Sequence, residues 1–105
     1  MYVRIARFEN TDGNWEERIE EVSRRMRGDG DTPIGRARGA VKRAIMLADR
    51  EHHRGAGLIF CETAEDLRRV DEAMDQMTPP RGGGRRASVE VYEVVLDHEP
   101  GRQPV

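Results

Sequence analysis

Five polar side chains on predicted strands are the residues of this sequence best suited to chemistry. Tyr2, Arg4, Arg43, Glu90 and Tyr92 could form a network of ion pairs and hydroxyl groups on a sheet face or at a pocket rim. A ligand pocket needs a few convergent polar groups among apolar walls, so we take these five as pocket candidates. Cross-strand charge pairing at the sheet edges is the alternative interpretation, and it accounts for most of them.

The histidines and the single cysteine give weaker signals. His52 and His53 are neighbours in an extended segment, where adjacent side chains point to opposite sides and chelate one metal ion poorly. Cys61 has no basic partner nearby in the sequence, which favours a buried, inert thiol over a nucleophile. We therefore predict no metal site and no cofactor, and we assign no catalytic residue.

One glycine-rich segment could hold an anion. The run from Arg81 to Arg86, RGGGRR, offers backbone N–H groups and guanidinium groups. It lacks the Lys-Ser/Thr pair of a phosphate-binding loop and precedes a strand instead of a helix, so a solvated linker is the preferred interpretation.

Composition limits the chain to one domain and excludes several classes of partner. Its 105 residues are 36% apolar and 36% charged, with a formal net charge of −2. This balance argues against nucleic acid as a partner, because duplex-binding proteins carry an excess of Lys and Arg. No apolar run is long enough to span a bilayer, no signal peptide is evident, and a single cysteine fits a reducing compartment. We expect a cytoplasmic protein without a membrane partner.

Hydrophobic periodicity predicts the elements that position the candidate residues. Strands are predicted at 2–8, 40–49, 58–61 and 88–96, and amphipathic helices at 15–26 and 63–77. The length of 40–49 also allows a helix, but the hairpin pattern that follows decides for a strand. Segment 28–39 is predicted to be a loop and 50–57 a polar hairpin connection. Thr63 and Asp66 resemble a capping box, and Pro79-Pro80 should end the second helix.

The order β-α-β-β-α-β predicts an α+β, ferredoxin-like fold for residues 1–97, followed by a tail at 98–105. Right-handed crossovers give a four-stranded antiparallel sheet of order 4-1-3-2 with both helices on one face. Leu58, Ile59 and Phe60 do not alternate with polar residues, so both faces of the sheet centre should be covered. Because the two helices cover one face only, we expect a second copy of the chain to cover the other, giving a homodimer.

Four segments carry a resemblance to a known family. They are Tyr2–Glu9, Lys42–Arg50, Gly57–Leu67 and Val91–Val94. Over about Tyr2 to Asp97 the sequence resembles the antibiotic biosynthesis monooxygenase-like proteins of the dimeric α/β-barrel superfamily. The resemblance implies two sheets facing each other across a dimer and a pocket in each subunit between sheet and helices.

The resemblance leaves two functions open. One is binding of a small apolar or aromatic molecule without a catalytic set, and the alternative is a cofactor-independent monooxygenase acting on a phenolic substrate. Haem-degrading relatives use an Asn on the first strand and a His and a Trp associated with the second-helix region. The first strand here has Arg and Ala at the corresponding stretch, and residues 63–77 contain neither His nor Trp, which argues against haem degradation.

Overall fold

The described part of the chain forms four strands, three α-helices and one 3₁₀ turn. The computed structural model describes residues 1–12, 14–27, 33–77 and 84–101. The elements in chain order are β1 (Tyr2–Glu9), α1 (Trp15–Met26), α2 (Pro33–Ala37), a 3₁₀ turn (Arg38–Ala40), β2 (Arg43–Asp49), β3 (Arg54–Cys61), α3 (Ala64–Asp75) and β4 (Arg85–Glu93).

The strands form one antiparallel sheet of order β2-β3-β1-β4. This is the predicted order 4-1-3-2 counted from the other edge, so the predicted α+β topology is confirmed and is compatible with a ferredoxin-like fold. The register sets Arg4 of β1 between Ile59 of β3 and Val91 of β4. Because side chains alternate along a strand, this register decides which residues share a face.

The two faces of the sheet differ in what covers them. The helix-covered face carries Tyr2, Arg4, Ala6, Phe8, Gly55, Gly57, Ile59 and Cys61. The opposite face, called the open face below, carries Val3, Ile5, Arg7, Ile45, Leu47, Leu58, Phe60, Glu90 and Tyr92. No described helix lies against the open face, although its centre is apolar.

Helix α3 closes the core on its side of the helix-covered face. Its buried residues Leu67, Val70 and Ala73 recur at helical spacing, as expected of the amphipathic helix predicted over 63–77. Leu67 and Val70 pack with Ile59 and Cys61 of β3. The predicted cap is also present, since the Thr63 hydroxyl accepts a hydrogen bond of 3.1 Å from the Asp66 N–H.

The predicted loop at 28–39 is wrong over its second half. Pro33–Ala37 forms α2, and the 3₁₀ turn follows it directly. Proline is well suited to the first position of a helix because its φ is preset, and Ile34 is 1% exposed in the core. The glycine content of the segment led to the prediction of a loop, although Ile34 is a buried apolar residue of the core. Residues 28–32 lie outside the described part of the chain.

The strand boundaries also differ from the prediction. β3 begins at Arg54, so residues 54–57 belong to the strand and not to the hairpin connection. Its two glycines leave room on the helix-covered face, and a Cβ on Gly55 would lie 2.6 Å from the Trp15 ring. β4 runs from Arg85 to Glu93, because its first residues pair with the end of β1. Pro79, Pro80 and residues 81–83 lie outside the described residues.

Candidate ligand-binding cavity

A cavity of about 450 Å³ lies between the helix-covered face and the helices. This volume is within the usual range for small-molecule sites. Most of its wall is apolar, including Ala6, Phe8, Ile19, Val22, Met46 and Met77. The apolar stripe of α1 thus faces a space and not a closed core.

The cavity exists because α1 stands away from the sheet. Helix α3 makes backbone contacts with β1 and β3, whereas the main helical neighbour of α1 is α2. Trp15, at the start of α1, is 3% exposed and lies against Gly55, where its ring takes the place of a strand side chain. Two residues further along β3, on the same face, a Cβ added to Gly57 would meet no atom within 4 Å. The Trp15 ring therefore supports the start of α1, and the absence of a side chain at Gly57 leaves space beneath the helix.

Arg18 is a buried cation in the wall of this cavity. Its side chain is 3% exposed, and its guanidinium carbon lies 4.1 Å from the centroid of the Trp15 ring. Its Nη2 donates to the backbone oxygen of Asp12 at 2.9 Å and to the Asp12 carboxylate at 2.8 Å. Its Nε and Nη1 are buried and have no hydrogen-bond partner among the described residues.

Arg4 also lies in the wall and is bound to α3. Its Nε donates to the Asp71 carboxylate at 2.7 Å, and its Nη2 lies 3.9 Å from the Asp75 carboxylate. Nη2 makes no hydrogen bond among the described residues, but two acidic side chains of one helix face this guanidinium. The charge of Arg4 is therefore compensated from α3, which ties β1 to that helix.

Thr11 adds a buried hydroxyl to the cavity wall. It is 6% exposed, lies in the cavity wall and immediately precedes Asp12, the partner of Arg18. Its backbone N–H donates to the carbonyl oxygen of His53 at 2.9 Å, which fixes the segment to the β2–β3 hairpin. Its hydroxyl oxygen is buried and has no hydrogen-bond partner in the described chain.

The five pocket candidates from the sequence are not brought together. Arg4 lies in the cavity wall, and Tyr2 shares its face but packs against the core beside the cavity. Arg43, Glu90 and Tyr92 lie on the open face, with the sheet between them and the cavity. Strand alternation separates the two groups, since odd and even positions of β1 point to opposite sides.

Glu90 and Tyr92 form a local network on the open face. The Tyr92 hydroxyl donates to the Glu90 carboxylate at 2.8 Å, and Arg7 Nε donates to the same carboxylate at 3.2 Å. These bonds hold the pKa of Glu90 below its ordinary value, and the Glu90 carboxylate raises the pKa of Tyr92. The arrangement is the pattern of cross-strand charge pairing that the sequence left open as the alternative.

His52 lies in a hydrogen-bonded cluster of the β2–β3 hairpin, and Cys61 lies in the core. His52 Nδ1 lies 3.0 Å from the Asp49 carboxylate, and Arg54 Nε donates to it at 2.8 Å. The bond from Arg54, with smaller contributions from His52, lowers the pKa of Asp49 to about 2. Cys61 is fully buried, and burial raises the pKa of its thiol. Within the described ranges, no group of three His, Cys, Asp or Glu side chains is placed to hold a metal ion.

Arg18 and Thr11 are the site residues that sequence reasoning missed. Arg18 lies three residues after Trp15 and four before Val22, which places a charged residue on the apolar stripe of α1. A cation at a stripe position is the signal that could have identified it, because a buried arginine requires acceptors. Thr11 gave no comparable signal, since threonine is common in turns.

The comparisons with known proteins add no family. Neither the comparison with protein-family models nor that with curated proteins finds a match for this chain. Among the described residues, no helix combines the length and apolar character needed to cross a membrane.

Proposed function

We propose that this protein binds a small, largely apolar molecule in the cavity beneath α1. The observation that carries the proposal is the cavity itself, about 450 Å³ of space with mostly apolar walls inside a 105-residue chain. A space of this volume with mostly apolar walls and a few polar groups is the usual form of a small-molecule site. The resemblance to the dimeric α/β-barrel proteins supports the same proposal, because it implies a pocket at this place.

Oxidation of a phenolic substrate stays a prediction from the resemblance alone. Such a reaction needs a base or a donor network next to the substrate. In the described part of the chain, the cavity wall contains guanidinium and hydroxyl groups but no carboxylate and no imidazole.

Trp15 provides the test of binding. It is the single tryptophan of the chain and lies in the cavity wall, so its emission reports on the cavity. We expect octan-1-ol to change this emission saturably. Gly57→Leu, which fills the open space over β3, should abolish the response, and the smaller Gly57→Val should weaken it. Ala87→Leu, which adds a similar volume at an exposed position of β4, should leave the response unchanged.

Two outcomes would contradict the binding proposal. One is the absence of any saturable response to octan-1-ol in the wild-type protein. The other is a response that persists unchanged in a folded Gly57→Leu variant, because the probe would then be bound elsewhere. Circular dichroism of each variant establishes that it is folded before the titration is interpreted.

We also propose that the chain is a homodimer joined through the open face, as in a dimeric α/β barrel. The centre of this face is apolar, and Leu47 on the edge strand β2 is 49% exposed. The occupant we infer is a second copy, because the face is self-complementary in charge: Arg43 lies on edge strand β2, and Glu90 lies on edge strand β4. A two-fold axis parallel to the strands would set β2 of one copy over β4 of the other.

Light scattering coupled to size-exclusion chromatography tests the dimer. We expect a mass of twice the 12.0 kDa chain at micromolar concentration. Leu58→Glu, at the centre of the open face, should give a monomer, and Leu47→Glu should weaken the dimer. Val95→Glu, at a position 86% exposed beyond β4, should leave the mass unchanged. A wild-type monomer would contradict the proposal.

A further inference from the structure

We propose that the ligand of the cavity is an amphipathic carboxylic acid, with its carboxylate bound by Arg18 and Thr11. This inference rests on the proposed binding function and specifies its ligand class. Its starting point is a polar pole, defined as the Arg18 guanidinium and the Thr11 hydroxyl, in a wall that is otherwise largely apolar. A molecule that matches this wall has an apolar body and one polar end.

The donors of Arg18 require an acceptor. A guanidinium has five N–H groups and no lone pair to offer, so only acceptors satisfy it. Asp12 occupies Nη2 alone, which leaves the buried Nε and Nη1 without a hydrogen bond among the described residues. Leaving buried donors of a charged group unsatisfied is costly, whereas a charge-assisted bond to a carboxylate is short and strong.

Thr11 completes the pole. Its hydroxyl can donate to a carboxylate oxygen, and its backbone is fixed by the bond to His53. Stacking on the Trp15 ring holds the plane of the Arg18 guanidinium in place. The donors are thus oriented before a ligand arrives, which reduces the entropy lost on binding.

The charge balance favours a single negative charge. Asp12 already compensates part of the charge of Arg18, and its side chain is 54% exposed, so solvent screens it. A singly charged carboxylate meets free donors at this pole, while a doubly charged phosphate would be repelled more strongly by Asp12. Arg4 does not compete for the anion, because Asp71 and Asp75 face its guanidinium.

The test compares two probes that differ only in the polar end. Isothermal titration calorimetry should show that octanoate binds the wild-type protein at least tenfold more tightly than octan-1-ol. Arg18→Met should remove this preference and leave octan-1-ol binding within twofold. Thr11→Val, which keeps the shape of the side chain, should reduce the preference partly. Arg24→Met, at an exposed position of the same helix, should change neither affinity.

Each outcome separates the ligand class from the proposed function. Equal binding of the two probes to the wild-type protein would overturn the carboxylic acid and leave apolar binding standing. Binding of neither probe would overturn both. A preference that persists in Arg18→Met would overturn the assignment of the pole. If Arg18→Met does not fold, two other variants replace it: Thr11→Val, and Arg18→Lys, which keeps the charge with fewer donors. The preference for octanoate that remains in each of them then tests the assignment of the pole.

Discussion

The two long helices cover the same face of the sheet but pack in different ways. In α3 the residues Leu67, Val70 and Ala73 are buried, and the helix lies close to β1 and β3. In α1 the buried residues are Trp15 and Arg18, while Ile19 is 43% exposed. Both helices have an apolar stripe at helical spacing, so a stripe alone does not distinguish a helix that closes a core from one that roofs a cavity.

The largest contrast between the two helices should appear when an apolar side chain is shortened. Leu67→Ala removes a fully packed side chain of α3 and should lower the free energy of unfolding by about 2 to 5 kcal/mol. Ile19→Ala in α1 enlarges an existing space and should lower it by about 1 kcal/mol or less. Arg68→Ala, on the exposed side of α3, should change it by less than about 0.5 kcal/mol.

Urea unfolding of the three variants measures this contrast. If Arg68→Ala were the most damaging, the face assigned to α3 would be wrong. Equal losses for Leu67→Ala and Ile19→Ala would show that α1 is as closely packed as α3.

The second contrast concerns the buried arginines. Asp71→Ala would leave Arg4 Nε buried without its acceptor, and we expect a loss of about 1 to 3 kcal/mol in the free energy of unfolding. Asp75→Ala is the matched control one turn along α3, where the distance to Arg4 is 3.9 Å. It should have the smaller effect in the same urea experiment, and the reverse order would contradict the role given to Asp71.

A third contrast lies in the first turns of the helices. The Thr63 hydroxyl caps α3, whereas Asn14, which precedes α1, makes no side-chain capping bond. We expect Thr63→Ala to cost about 1 kcal/mol of stability and Asn14→Ala clearly less. Thermal unfolding of the two variants, each compared with the wild type, checks this order. Equal shifts would mean that the caps do not distinguish the helices.

The smallest effect concerns the titration of the Asp49 carboxyl group in the β2–β3 hairpin. The pKa of Asp49 is lowered from 3.8 to about 2, chiefly by the bond from Arg54. Because the folded pKa is depressed, the stability from this carboxylate is complete above the ordinary pKa and is lost as the pH falls through about 2.

Carbon-13 NMR of the Asp49 carboxyl group measures that titration. Arg54→Met should move the midpoint back toward 3.8, and His52→Ala should move it less, because Arg54 is the largest cause of the shift. A wild-type midpoint at the ordinary value would contradict the hairpin geometry.

Local pattern alone determined most of the framework. The alternation in β1, the stripe of α1, the Thr63 cap and the strand order all follow from periodicity, capping chemistry and right-handed crossovers. The errors lie where glycine and proline content led to the prediction of a loop. Ile34 is buried in α2 within a predicted loop, and Gly55 lies in β3 within a predicted hairpin connection. Glycine is ambiguous in sequence, because the same residue permits a loop and also makes room for a neighbouring side chain.

Only the tertiary structure decided where the candidate site lies. Periodicity tells which residues share a face, but not how far a helix stands from the sheet, and that distance depends on Trp15 against Gly55 and on the space over Gly57. The cavity places Arg18 and Thr11 in one wall and leaves Glu90 and Tyr92 on the other side of the sheet. The physical reason is that burial and hydrogen-bond satisfaction depend on neighbours distant in the sequence, which a local pattern does not contain.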